Sequence, residues 1–169
     1  ERVYDRISSV GMFEHVGLKN LRTYFSKIRS LLDDDGLVLN HGITSVDPES
    51  RTVGLGAGEF IDKYVFPDGE LPHISLVMQE MEASGLESCD VESLRRHYAK
   101  TCTEWAARLE RNTAKAIELA GARRFRIWSI YLAGFAQNWM NIYQVLAAKR
   151  SLPGMNPLPL TREYMYRHN

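Results

Sequence analysis

Two short apolar runs flank one amphipathic stripe within the first 43 residues, and this pattern constrains the chain more than any other. Val3-Tyr-Asp-Arg-Ile-Ser-Ser-Val10 alternates and is rich in β-branched side chains, as a strand should be. Gly11 closes it. From Asn20 to Leu32, the residues Leu21, Tyr24, Phe25, Ile28, Leu31 and Leu32 recur at helical spacing. Asp33-Asp-Asp-Gly36 reads as a turn, with Gly36 suited to a helix C-terminus. Leu37-Val-Leu-Asn-His-Gly-Ile43 is the second strand. A strand–helix–strand unit of about 40 residues is the size of a βαβ crossover, so parallel pairing is expected.

The rest of the chain is read more coarsely. Residues 44–59 form a loop, and Phe60–Phe66 is an aromatic segment followed by a Pro67-Asp-Gly69 turn. Ser75–Ser84 reads as a short helix with a serine cap. Leu86–Leu94 suits a strand. One long helix is expected over residues 94–120, ending near Gly121, and another over residues 123–138. Asn141–Leu146 fits a helix or a strand equally well. The tail, with Pro153, Pro157 and Pro159, is expected to be extended.

Charge excludes some functions. Lys plus Arg is 21 and Asp plus Glu is 21, so nothing suggests a nucleic-acid partner. Cys89 and Cys102 form no C-x-x-C pair, and no histidine spacing suits zinc. A reducing, cytoplasmic setting is expected. The sequence has no apolar run of about 18 residues. It opens on Glu1 and enters a strand pattern at once, so the chain is expected to be part of a longer protein. Gly54-Leu-Gly-Ala-Gly58 matches G-x-G-x-G, but polar, turn-like residues precede it. A cofactor loop should follow a buried strand and open a helix, so a loop leading to a lid is the better reading.

Several segments resemble the cyclopropane-fatty-acid synthase and mycolic-acid methyltransferase family. They are Tyr4–Gly17, with Ser9-Val-Gly-Met-Phe-Glu-His-Val-Gly17 as the most specific phrase; Leu39-Asn-His-Gly-Ile43; and Phe60-Ile-Asp-Lys-Tyr-Val-Phe-Pro-Asp-Gly-Glu-Leu-Pro72. His97-Tyr98, Thr101, Trp105, Trp128, Tyr131-Leu-Ala133, Phe135 and Gln144-Val145 follow in order. The resemblance covers about residues 3–149. It implies an α/β fold: a class I methyltransferase (Rossmann-like) sheet, of which residues 1–169 supply the C-terminal portion as a single domain. Added helices would form a substrate region. The last four strands would lie here, the final one antiparallel near residues 140–148. The glycine-rich loop for S-adenosyl-L-methionine would lie in the absent N-terminal part.

The resemblance further implies transfer of a methyl or methylene group from S-adenosyl-L-methionine to the double bond of an unsaturated phospholipid acyl chain. Glu14, His41, Tyr98 and the main chain at Ile43 would hold a bicarbonate ion. Strand order supports Glu14 and His41 independently, since ligands of open parallel sheets collect at strand C-terminal ends. The alternatives are a helix-capping Glu14, a core His41 and a Tyr98 that only packs. Phe60, Tyr64, Phe66, Trp105, Trp128, Tyr131, Phe135 and Trp139 are an acyl tunnel or plain core. Arg123, Arg124 and Arg126 face anionic headgroups or solvent. The expected partner surface is the inner membrane face, met peripherally. A sheet lacking its first strands should also self-associate through its open edge. The competing functions are a related methyltransferase on a small soluble molecule and a noncatalytic fragment.

Overall fold

The computed structural model describes residues 2–50, 58–67, 69–137, 139–150 and 158–166. Four strands form one sheet: β1 (Tyr4–Val10), β2 (Leu32–Thr44), β3 (Leu86–Ser93) and β4 (Asn141–Lys149), in the order β1-β2-β4-β3. β1 and β2 are parallel, and β4 is antiparallel to both β2 and β3. The ambiguous segment after residue 140 is therefore a strand. Its neighbours decide this: Ile142 and Val145 are buried, while Leu37–Thr44 supply a continuous ladder.

Helix α1 (Leu21–Leu31) makes the crossover, and α3 (Ile74–Ala83) packs beside it. Leu21, Phe25 and Ile28 from α1 meet Val77 and Met81 from α3 over Leu32, Val38 and Val145 of the sheet. This is the larger core. A second core lies beyond the ends of β2 and β4, where Ile61 of α2 (Gly58–Tyr64) meets Cys102 of α4 (Arg95–Arg111). Tyr131, Leu132 and Phe135 of α5 (Thr113–Ala136) complete it with Met140.

Four local expectations are corrected. Asp33–Gly36 lies within β2, where the pairing jumps from Tyr4↔Leu32 to Arg6↔Leu37. A Cβ on Gly36 would stand 2.7 Å from the Asp33 carbonyl oxygen, so the glycine closes a tight excursion of the strand and not a helix end. The N-cap of α3 is His73, whose Nδ1 accepts the Ser75 N–H at 3.2 Å; Ser75 Oγ lies 2.8 Å from the same nitrogen. The single long helix expected over residues 94–120 breaks at Asn112, whose side chain donates to the Arg108 carbonyl at 2.8 Å. An Asn that caps its own preceding turn ends a helix without glycine or proline. The expected separate helix over 123–138 begins instead as part of α5, which kinks at Gly121 (φ +81°).

Gly54 and Gly56 lie outside the described residues, and Gly58 opens α2. The prolines at 153 and 157 also lie outside them. The described tail carries a 3-10 turn at Arg162–Met165, and Arg162 pairs with Asp90 on β3 at 2.6 Å. Cys89 and Cys102 are free thiols. Among the described residues, no helix is long and apolar enough to cross a membrane.

Phe25 is fully buried between sheet and helices. Phe25→Ala should cost about 3–5 kcal/mol of unfolding free energy, the usual range for truncating a core aromatic. Urea denaturation measures this; a loss below about 1 kcal/mol would show that the α1–α3 layer is not the main core.

Candidate active site at the tips of the parallel strands

The site begins where β1 stops. The last parallel pair is Val10↔His41, and the Gly11 N–H donates to the His41 carbonyl at 2.9 Å. Gly11 then turns the chain out of the sheet at φ +63°. A 3-10 turn over Phe13–His15 follows, sending Phe13 into the larger core and holding Glu14 at 6% exposure. β2 continues beyond its partner, and the Ile43 N–H donates to Glu14 Oε1 at 2.7 Å. Gly42 permits this contact. A Cβ there would lie 2.2 Å from the Phe13 ring and 2.9 Å from Glu14 Oε1.

The second Glu14 oxygen, Oε2, is buried without a hydrogen-bond partner among the described residues. His41 Nδ1 is in the same condition. Buried polar atoms of this kind cost about 1–3 kcal/mol each unless something satisfies them. Burial pushes the Glu14 carboxyl above its ordinary range. The Ile43 hydrogen bond and the positive fields of His15 and His41 oppose that shift less strongly. Burial likewise raises the Tyr98 and Tyr131 hydroxyls, and the Glu14 charge adds to both shifts. Those two phenols therefore face the same negative centre. Cys102, one helical turn beyond Tyr98, is pushed up to about 11 by burial.

A cavity of about 280 Å³ opens at these strand tips. Gly11, Glu14, His15 and Ile43 form one wall, and Ile61, Phe66, Leu71 and Met140 face them. Aromatic rings extend away from it in edge contacts. His15 meets Phe66 at 5.9 Å, and Phe66 meets Tyr131 at 5.9 Å. Tyr131 meets Trp128 at 5.4 Å and Phe135 at 5.7 Å. Phe135 meets Tyr98 at 5.1 Å, and Tyr98 meets Trp105 at 5.9 Å.

The structure thus places Glu14, Ile43 and Phe66 around one cavity. His41 stands at the last parallel pair, and Tyr98 and Tyr131 stand within the Glu14 field, but none of these three lines that cavity. Phe135 is buried behind them, Phe60 packs on the second core, and Trp139 lies across Gly134. Tyr64, Trp105 and Trp128 are surface residues, each at least 38% exposed. No sequence argument singles out Glu70, although it sits in the quoted Phe60–Pro72 segment. Its carboxylate accepts the Leu18 N–H at 2.7 Å, and its own N–H donates to the Glu14 carbonyl at 3.3 Å. Glu70 therefore holds the Glu14 turn from both sides. The segment also holds Asp62, Lys63 and Asp68, so charge alone does not mark Glu70 in the sequence.

The sequence model of the mycolic acid cyclopropane synthetase family matches residues 1–147. The chain belongs to that family. A probable fatty acid methyltransferase from Pseudomonas putida is 51% identical over 168 residues, which cover 97% of this chain and 43% of that protein. Cyclopropane mycolic acid synthase 1 from Mycobacterium tuberculosis is 38% identical over 141 residues, covering 79% of this chain and 49% of its own length. Among solved structures, mycolic acid cyclopropane synthase CmaA1 complexed with SAH and CTAB superimposes with a TM-score of 0.77 at 33% identity. That match covers 88% of this chain and 56% of CmaA1. This family member therefore spans less than half the length of the two curated relatives named here. Its sheet is that of the class I methyltransferases.

Glu14→Gln tests the electrostatics of the site without removing the acceptor for Ile43. A carboxyl raised by burial stabilises the fold below its ordinary value near 4.5 and loses that contribution as pH climbs through the raised value. The variant escapes this loss. Its melting temperature should match wild type near pH 4 and exceed it at about pH 7–8. A gap that stays constant across that range would show that Glu14 ionises without cost.

Proposed function

We propose that this chain is the C-terminal part of a catalytic domain that transfers a methyl or methylene group from S-adenosyl-L-methionine to the double bond of an unsaturated phospholipid acyl chain. The observation that carries the reading is the buried Glu14 Oε2, unsatisfied among the described residues, in the wall of an apolar cavity at the strand tips, with the equally unsatisfied His41 Nδ1 on the adjoining strand end. Family membership and the named relatives support it.

S-adenosyl-L-methionine, when bound, supplies an electrophilic methyl group. This chain offers it the tip of β1, where nothing stands within 4 Å of a Cβ built on Gly11. Methylation of an alkene leaves positive charge on the acyl chain. Aromatic faces stabilise such charge, and Phe66, Tyr131 and Phe135 are the rings closest in sequence of contact to the cavity. Trp105, Trp128, Trp139, Phe60 and Tyr64 extend that apolar surface outward.

A bicarbonate ion would supply a proton acceptor. The residues fit such an ion by their donor and acceptor set. Glu14 Oε2 would accept or share a proton, His41 Nδ1 and the Tyr98 hydroxyl would donate, and no described residue satisfies the first two. Ile43 gives its N–H to Glu14, so only its carbonyl is left to face the ion directly. Ile43 thus acts mainly by fixing the carboxylate. The apolar wall keeps water from the charge that develops. The protein would work at the inner face of the membrane as a peripheral, cytoplasmic enzyme.

The test uses the full-length protein, labelled S-adenosyl-L-methionine and vesicles of unsaturated or saturated phospholipid. Label should enter only the unsaturated lipid. Glu14→Gln should lower kcat by about 10²–10⁴-fold, the usual worth of a positioned acid–base group. Depleting bicarbonate should slow wild type, and adding it back should restore the rate. Normal turnover in Glu14→Gln would sink the proposed site.

A further inference from the structure

A second concavity lies on the other side of α2. It is an open groove between the end of that helix and the second half of α5, lined by Lys63, Tyr64, Arg123, Arg124, Ile127 and Trp128. Residues 123, 124, 127 and 128 fall on one helical stripe, so α5 presents them together. Two cations share one ring here. Lys63 Nζ stands 5.4 Å from the Tyr64 centroid and the Arg123 guanidinium 5.5 Å from it.

The charge on this face has one sign. From residue 119 to residue 136, α5 holds Arg123, Arg124 and Arg126 and no Asp or Glu. Among the described residues, no carboxylate is ion-paired to Lys63, Arg123, Arg124 or Arg126. Apolar side chains accompany the cations: Trp128 in the groove is 40% exposed, and Ile130, four residues beyond Arg126 on the same helical stripe, is 48% exposed. Exposed aliphatic and indole groups interleaved with arginine match a bilayer interface, where the rings sit at headgroup depth and the cations meet phosphates. A soluble acidic protein would account for the arginines but not for the exposed Ile130 and Trp128 beside them.

We propose that this groove docks on an anionic phospholipid bilayer, with Lys63, Arg123 and Arg124 against headgroup phosphates. The inference rests on the lipid-directed reading above and adds the surface that makes contact. Its position gives the contact a purpose. Trp128 in the groove touches Tyr131, which touches Phe66 in the cavity wall, so two ring contacts separate the headgroup surface from the cavity. A lipid held by its phosphate at the groove would have its chains beside the aromatic path inward.

The full-length protein is sedimented with vesicles of saturated phosphatidylglycerol and, separately, saturated phosphatidylcholine, so that no reactive double bond is present. Wild type should bind the anionic vesicles, and salt should weaken that binding. Arg123→Gln/Arg124→Gln should lower the affinity by about tenfold or more, since each surface cation adds measurably to attraction. Arg123→Glu/Arg124→Glu should abolish binding. Both variants should keep the wild-type melting temperature, which excludes misfolding as the cause. Unchanged vesicle binding in both variants overturns the proposal. So does a wild type that ignores both vesicles but binds an acidic soluble protein through the same arginines. Methyl transfer with arginine-independent vesicle binding would sink the groove alone; arginine-dependent binding without methyl transfer would sink the proposed reaction alone.

Discussion

Beyond Val10 the second strand outruns its parallel neighbour, and the Ile43 amide must find an acceptor outside the ladder. Glu14 supplies it at 2.7 Å. The arrangement needs three things at once. Gly11 must turn the chain out of the sheet, Phe13 must anchor the turn in the core, and Gly42 must leave room for both. Glu70 then fixes the same turn from the opposite side. One oxygen of Glu14 is thereby committed to structure, and the other is buried without a partner among the described residues. A side chain held in this way keeps its orientation without a ligand, which is what preorganisation requires.

The two cores divide the labour. The α1–α3 layer packs the sheet and has little polar content, so its residues read as architecture. The second core joins α2, α4 and α5 to the strand ends through aromatic rings, and two of its hydroxyls, Tyr98 and Tyr131, feel the Glu14 charge. Three of the four ring contacts from Trp128 to Trp105 are edge to face and the fourth, Tyr98–Phe135, is tilted, and together they set how Tyr98 and Tyr131 sit relative to each other. Tyr131 therefore matters in two ways. Its ring joins groove to cavity, and its hydroxyl belongs to the polar centre.

How far this could be read from the sequence depends on range. The β1–α1–β2 unit was legible because its signals are local: alternation, a helical stripe, and a size that demands a crossover. Glu14 and His41 were legible as a pair because parallel strands put their C-terminal ends together. The strand over Asn141–Lys149 was legible only through the family resemblance, because its local pattern is ambiguous and its identity comes from β2 and β3 on either side. The break at Asn112 was missed because an asparagine side chain can end a helix that propensity would continue. Trp105 and Trp128 show the limit of composition. They share helices with buried rings, but the phase of each helix turns them outward, and phase depends on where Asn112 and Gly121 break the run.

The remaining difficulty is charge, since a carboxylate and a bicarbonate ion repel at contact. The geometry lessens this from the protein side. Burial favours the protonated form of Glu14, while Ile43, His15 and His41 favour the charged form less strongly. A group balanced in this way can hold a proton between its free oxygen and an anion, so that contact becomes a hydrogen bond. His41 supplies the opposite need. Its Nδ1 is buried and unsatisfied among the described residues, and an N–H there would gain an acceptor when an anion enters. Glu14 Oε2 and His41 Nδ1, each costly while unsatisfied, are the two atoms that such an anion would meet.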